Sequence, residues 1–440
     1  MKKNFLFEFS KGILFRIILD VIYIFILTET NPVMFNVDIN IYNIILSWIV
    51  LIPILYLFTS KIYLKKKFVS DWILTLLFFF SFIPSCVYFA YSGINYTYIF
   101  LISIYWIVLI SVDLILKKYY KKKIKKIRKQ KVYKKYVFNI ILTISFILVI
   151  YTSVQLFGKI SFHLNLYDVY GLRQNFSDKG FSTWHTYMLT WIGFVIIPIS
   201  ASYFFYKKKY LYFFSLCLMQ VMVFALGGQK SQLLFIPMGL LFDLFVIKKK
   251  KSVINYFVII SLVSIIEEMI ISTNFLLDMF VRRIFFVPSV LSYYYIDFFS
   301  KNPKLLFFED MLMSRIYVRL FDLHPLYPKP VAYIIGEIYL GKFNVSANNG
   351  MFSYEYANAG IIGVVLSAVF LVVVIHLVNR IFSQLNIGQS GVLILVLSVS
   401  ILSVSSSDIF YEYIIPLLLV AYLINYSNQS NRKDKQIDDN

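Results

Sequence analysis

Charge is what this sequence has least of. Only 15% of its 440 residues are Asp, Glu, Lys or Arg, against 59% hydrophobic, and the mean hydropathy is +0.73. So few charges cannot cover the surface of a soluble protein of this size, so a bilayer must be the solvent. Cysteine is nearly absent: Cys86 and Cys217 both fall inside apolar runs, which excludes a disulfide framework and a thiolate metal site. Histidine is scarce too, and none of His163, His185, His324 and His376 has metal-ligand spacing. No Gly-rich phosphate loop, HExxH, GxSxG or DxD-like stretch stands on the side read as cytoplasmic, which argues against soluble-style nucleotide chemistry. Neither a cofactor nor a metal is expected. Acids are outnumbered 23 to 43, giving a formal charge of +20. In a soluble protein that excess would point to nucleic acid. Here the lysines stand in short blocks directly after apolar runs, as at Lys65 to Lys67, Lys207 to Lys209 and Lys248 to Lys251. That is how cytoplasmic loops are marked, and no nucleic-acid partner is implied.

What the chain does have is apolar length. Runs of about 20 residues, enough to cross the hydrocarbon of a bilayer, recur from Ile13 to Tyr422. They predict helices over 12–28, 41–59, 72–91, 96–116, 136–157, 184–206, 210–226, 231–247, 253–272, 356–378, 390–405 and 409–425. The expected fold class is an all-α polytopic membrane protein of about twelve transmembrane helices forming a single integral membrane domain over 1–440. With both termini in the cytoplasm, most Lys and Arg fall in the inner loops, as the inside rule requires. The strongest anchor is the loop 117–135, where twelve of nineteen positions are basic, suited to anionic lipid headgroups. A cytoplasmic tail follows at 426–440. The start of the chain has the look of a signal peptide but lacks a small-x-small cleavage site, so a retained first helix is expected.

One large extracytoplasmic loop, 273–355, separates the ninth and tenth helices; a shorter outer loop runs over 158–183. Long loops usually carry function. The large loop opens on Arg282-Arg283 and an apolar stretch, Ile284 to Phe299, that holds Pro288 and Tyr293 to Tyr295. Sixteen residues are short for a span, so an interfacial or re-entrant helix lying against protein is expected.

The candidate functional groups gather on the outer side. Lys230 stands in the turn Gly227-Gly228-Gln229-Lys230-Ser231, where free N–H groups at a helix start and a cation can hold a phosphate; an ordinary snorkelling lysine is the plainer alternative. Arg315 and Arg319, four apart, share one face of a helix and suit a diphosphate. Salt bridges from these arginines to Glu309, Asp310 and Asp322 are the alternative. His324, beside Pro325, has the chemistry of a general acid or base. Among acids within apolar runs, Asp20 is the deepest, and it stands one turn from Arg16, a pairing distance.

Two stretches carry a resemblance. Arg282-Arg283-Ile284-Phe285-Phe286-Val287-Pro288 running to Tyr295-Ile296-Asp297-Phe298-Phe299, and Tyr327-Pro328 followed by Ala347-Asn348-Asn349-Gly350-Met351 and Tyr356-Ala357-Asn358-Ala359-Gly360-Ile361-Ile362-Gly363, resemble the large loop and its exit in the bacterial O-antigen and capsule (Wzy-type) oligosaccharide repeat-unit polymerases. The Gly228 to Ser231 turn is similar, with Lys230 where relatives often have Arg.

The resemblance implies a metal-independent glycosyltransferase of the bacterial cytoplasmic membrane. It would move a growing glycan from undecaprenyl diphosphate onto a fresh lipid-linked repeat, alongside a chain-length regulator and a flippase. Arg282, Arg283 and Lys230 would hold the diphosphate, and Arg315 and Arg319 a second one. Glu355 or His324 would take the acceptor's proton, and Tyr293 and Tyr295 would pack on sugar faces. The rivals are a flippase or transporter of lipid-linked oligosaccharide and an O-antigen ligase-like transferase.

Overall fold

Inside a bilayer no water is available to hydrogen-bond the backbone, so an apolar run must satisfy its own N–H and C=O groups, which a helix does. The structure, a computed structural model, describes residues 2–66, 68–123, 136–156, 179–249, 251–271, 273–306, 319–322, 326–341, 343, 345–382 and 390–421. Within them the chain is helical, without a named strand; a single isolated bridge joins Asp38 and Ser92. Eight helices are long and apolar enough to cross a membrane: Ile41–Lys61, Val69–Tyr91, Tyr96–Tyr119, Thr183–Tyr206, Tyr210–Gly227, Lys230–Ile247, Val253–Ile271 and Met351–Ile381. The protein is therefore read as all-α and membrane-embedded. Helix also covers most described residues of the other four segments that the sequence predicts, but with shorter or more charged apolar stretches. Lys2–Ile22 carries Arg16 and Asp20, and Gly391–Ile401 has only 11 residues. The basic stretch 124–135 and the tail beyond 421 lie outside the described residues.

Four prolines shape these helices in one way. A proline lacks the N–H that would bond the carbonyl four residues back, and its ring crowds that carbonyl. The helix relieves this by widening to a five-residue turn. Pro84, Pro198, Pro288 and Pro416 each stand two residues after such a wide turn, at Phe78–Phe82, Ile192–Ile196, Leu277–Phe286 and Ile409–Ile414. At the third of these, the Val287 N–H donates to the Arg282 carbonyl, five residues back.

The chain divides into two compact units, the first comprising Met1–Lys123, Ser252–Val378 and Ser398–Ser407 and the second Ile124–Lys251, Asn379–Leu397 and Asp408–Asn440. The first is centred on aromatic side chains. Phe15, Phe79, Phe80, Phe257 and Phe285 meet with ring centroids 5.3–6.0 Å apart, the offset and edge-on range that aromatic pairs prefer. Arg16 is fully buried there; its Nε donates to Asp20 at 2.7 Å and its Nη2 to Ser47 at 3.2 Å. The pairing of Arg16 with Asp20 is the one that their spacing predicts.

A second buried ionic group ties three helices of this unit. Lys117 bridges Asp71 and Asp113, and the other oxygen of Asp113 meets His376 Nε2 at 2.8 Å. Asp113 and Asp71 are both buried. Removing one member of a buried ionic group leaves the others unpaired, at a cost of about 3–5 kcal/mol. Asp113→Ala is accordingly expected to lower thermal stability in detergent by that amount, and Asp113→Asn, which keeps a partner for His376, by less. An unchanged unfolding temperature in Asp113→Ala would contradict the assignment.

In the second unit Asp243 does a capping task. Its Oδ1 accepts from the Gly391 N–H at 2.8 Å, at the start of the Gly391–Ile401 helix, and Tyr206 OH donates to its Oδ2 at 3.1 Å. A carboxylate at a helix N-terminus satisfies an orphan donor and complements the helix dipole.

Candidate functional site

The Met351–Ile381 helix is broken near its start. Ala359 (φ −140°, ψ 22°) and Gly360 (φ 59°, ψ −139°) are non-helical, and at Gly360 only a residue without Cβ is free of strain. The break leaves carbonyls at the end of the first half without helical partners. They are met from elsewhere in the chain: Leu305 N–H donates to Ala357 O at 2.9 Å and Leu306 N–H to Asn358 O at 3.1 Å. The second half begins close against the first, since a Cβ on Gly363 would stand 1.9 Å from the Glu355 carbonyl oxygen.

Around this break the first unit buries polar side chains. Glu355, Asn358, Ser353 and Asn349 are all buried. Glu355 accepts from Asn358 Nδ2 at 3.0 Å and from the Ser406 N–H at 3.3 Å, so each carboxylate oxygen is held by one donor. Asn349 Nδ2 donates to Ser353 Oγ at 2.6 Å and to Ser292 Oγ at 3.1 Å. That bond ties the break to the Val287–Lys301 helix. Beside it lies a cavity of about 30 Å³ whose wall includes Tyr105, Trp106, Ser292 and Asn349, space on the scale of a water or two.

Lys304 belongs to the same neighbourhood and was not among the residues that the sequence singles out. Its ammonium lies 3.8 Å from the centre of the Tyr356 ring and donates to the Phe299 carbonyl at 2.5 Å. Among the described residues no carboxylate pairs with it. Burial pushes its amine down from the ordinary 10.5 to about 8. A half-buried cation held by an aromatic face and one carbonyl has charge left over for an anion.

The arginines stand on the same run as Ser292. Helix is continuous from the wide turns of Leu277–Phe286 into Val287–Lys301, and Val290, Leu291 and Tyr294 to Ile296 are buried against protein. The expected helix over 284–299 is thus part of a longer one. Contacts give its direction: Phe80 meets Phe285, Ser85 Oγ bonds Ser289 Oγ at 3.1 Å, and Tyr88 meets Tyr293. From Phe285 onward it therefore runs alongside, and in the same sense as, the C-terminal half of Val69–Tyr91.

Arg282 is half-buried and its Nε donates to Asp278 at 2.6 Å; Arg283 is exposed and has no ion-pair partner among the described residues. Tyr293 lies against Tyr88 and Tyr98 with centroids 6.1 and 6.0 Å away. Tyr295 is fully buried and its OH donates to the Ala347 carbonyl at 3.2 Å, which fixes the approach of the chain to Asn349. Arg319 is exposed. Arg315 and His324 lie outside the described residues, as do Glu309 and Asp310.

Lys230 belongs to the second unit, as the first residue of the Lys230–Leu241 helix, after Gly228 closes the preceding helix in the left-handed conformation. No group of three or more His, Cys, Asp or Glu able to hold a metal occurs among the described residues. The chain matches no family model, no curated protein and no solved structure.

Proposed function

We propose that this protein polymerises lipid-linked oligosaccharide repeat units in a bacterial cytoplasmic membrane, transferring a growing glycan from undecaprenyl diphosphate to a new lipid-linked repeat. In this reading the chain has twelve spans, both termini in the cytoplasm, and 273–355 on the outer face. The observation that carries it is the meeting, within one unit, of a held carboxylate at a helix break, Glu355, with Lys304, a cation that no carboxylate pairs with among the described residues; the Arg282-Arg283 pair stands at the far end of the helix that reaches the break through Ser292. The resemblance of the stretch from Arg282 to Phe299, and of the segments on either side of Glu355, to the Wzy-type polymerases supports it.

The chemistry needs little else. The bond between the sugar's anomeric carbon and the diphosphate oxygen breaks, and its electron pair leaves with the diphosphate. A hydroxyl of the incoming repeat bonds that carbon and gives its proton to Glu355. Arginine suits the leaving group because it stays charged and binds phosphate oxygens bidentately. Placed beforehand, such cations offset the charge that develops as the bond breaks. Lys304 supplies a cation at the break itself, about 24 Å along the helix from Arg283, and Tyr293 is the tyrosine of the pair with surface left for a sugar. Purified protein given lipid-linked repeats in detergent tests the reading: a ladder of longer glycans without any nucleotide sugar is the expected result.

Lys304 gives the reading a pH signature. Its charge is present below about 8 and is lost as pH rises through that value. Chain-extension kcat/KM is expected to fall along an alkaline limb near that pH, and Lys304→Arg, which stays charged, to carry the limb upward. Stability should move the opposite way. The unfolded chain binds the Lys304 proton up to the ordinary 10.5, so the fold gains stability as pH rises from about 8 toward that value. An alkaline limb that is the same in Lys304→Arg would remove Lys304 from the site.

One observation favours a second reading, a transporter of lipid-linked oligosaccharide: transporters place substrate at broken helices, and Met351–Ile381 is broken. In detergent no sides exist to transport between, so chain growth there separates the two. A ligase would differ in accepting a lipid or protein acceptor instead of a second repeat.

A further inference from the structure

The geometry points to a separate subsite in the second unit that takes one neutral polyhydroxylated ring. Three helices, Thr183–Tyr206, Tyr210–Gly227 and Lys230–Ile247, meet around two buried glutamines. Gln220 Nε2 donates to the Gly193 carbonyl and to the Gln232 carbonyl, both at 2.9 Å, and Gln232 Nε2 donates to Gln229 Oε1 at 3.0 Å. Gln220 thereby commits both of its amide hydrogens, and Gln232 one of its two. The Oε1 atoms of both are buried without a partner among the described residues, a costly state for an acceptor.

Gln232, only 4% exposed, lines a cavity of about 210 Å³. Thr186 and Thr190 stand on the same wall. Each commits its hydroxyl hydrogen to a backbone carbonyl, Ser182 O at 3.3 Å and Thr186 O at 3.0 Å, and keeps lone pairs to offer. Leu189, Val223 and Leu226 supply an apolar wall.

A lining rich in acceptors calls for a ligand with several donors, and the absence of a charged side chain from it among the described residues calls for a neutral one. The apolar wall suits C–H faces. Hydroxyls on a saturated ring meet all three requirements; an anion meets none. The volume is below the ~300–1,000 Å³ of drug-sized pockets, which fits one ring. Gly193 makes the arrangement possible: it lies in the wide turn Ile192–Ile196, and a Cβ there would meet Gln232 Nε2 at 2.7 Å and Val223 Cγ1 at 2.9 Å. The inference does not rest on the transfer reaction, since it is read by binding without turnover.

The ring could come from a free sugar or from the head of a lipid-linked one. The test uses the full chain in nanodiscs and two probes, free N-acetylglucosamine and octyl β-glucoside, with binding followed by saturation-transfer NMR. Either probe binding, with affinity lowered about tenfold or more in Gln232→Leu and in Gly193→Ala, supports the subsite, and the probe that binds identifies the source. Should Gln232→Leu or Gly193→Ala not fold, Thr190→Val on the cavity wall decides with the same threshold. Binding unchanged in the variants, or neither probe bound, overturns the inference. Lost chain growth with ring binding intact would instead count against the polymerase reading alone.

Discussion

Glu355→Gln is expected to stop chain extension in a protein that still folds and inserts. The amide matches the carboxylate in shape and keeps an oxygen for the Ser406 N–H, which lies 3.3 Å from Glu355 Oε1, so the helix break should survive. What is lost is the ability to take a proton. A positioned general base contributes ~10²–10⁴-fold, and the loss should appear in kcat and kcat/KM together with KM little changed. Asn358→Ala, which removes the donor to Oε2 and leaves the carboxylate in place, should cost less. If Glu355→Gln extends chains at the normal rate, the acceptor's proton goes elsewhere, and His324 is the next group to substitute.

Arg282→Ala and Arg283→Ala are each expected to abolish long-chain glycan, leaving single repeats on the lipid. Losing one preorganised donor to a developing anion costs ~10²–10³-fold in rate, and a polymer needs many successive transfers, so a modest loss per step becomes a complete loss of long chains. The two should differ in detail. Arg282 is tied to Asp278 at 2.6 Å, so Asp278→Asn should alter activity through Arg282 and have no effect once Arg282 is gone. Arg283, exposed and without such a tie, should be rescued in part by Arg283→Lys, since a point charge replaces some but not all of a bidentate contact. Normal chain lengths in both alanine variants, with protein levels unchanged, would reject the role.

The helices were legible because a bilayer imposes one solution on an apolar run, and each of the twelve predicted segments is helical over most of its described residues. Arg16 and Asp20 were legible as a pair because i,i+4 spacing alone brings them together. The same rule links Arg282 to Asp278, whereas the loop acids Glu309, Asp310 and Asp322 lie farther along the chain. The break at Ala359 and Gly360 was not legible: it depends on Leu305 and Leu306 supplying N–H groups from some fifty residues away and on Gly363 reaching the Glu355 carbonyl. Local pattern there reads as an ordinary helix start.

Lys304 escaped notice for a related reason. What sets it apart is the Tyr356 ring beneath it, fifty-two residues farther along the chain, and that is not a property of its neighbours in sequence. The three successive tyrosines show the limit of composition. On a helix, consecutive side chains point about 100° apart, so they cannot share a face. Tyr294 stacks on Tyr339 at 4.5 Å, Tyr295 is buried against Ala347, and Tyr293 alone stays half-exposed.

Everything functional turns on whether this chain makes glycosidic bonds. The direct measurement is to incubate the purified protein in detergent with undecaprenyl-diphosphate-linked repeats, no nucleotide sugar and a chelator, and to resolve the products by size. A ladder rising by one repeat at a time, absent with Glu355→Gln, is the predicted result. Unchanged single repeats, from protein that moves the same lipid across liposome membranes, would contradict it.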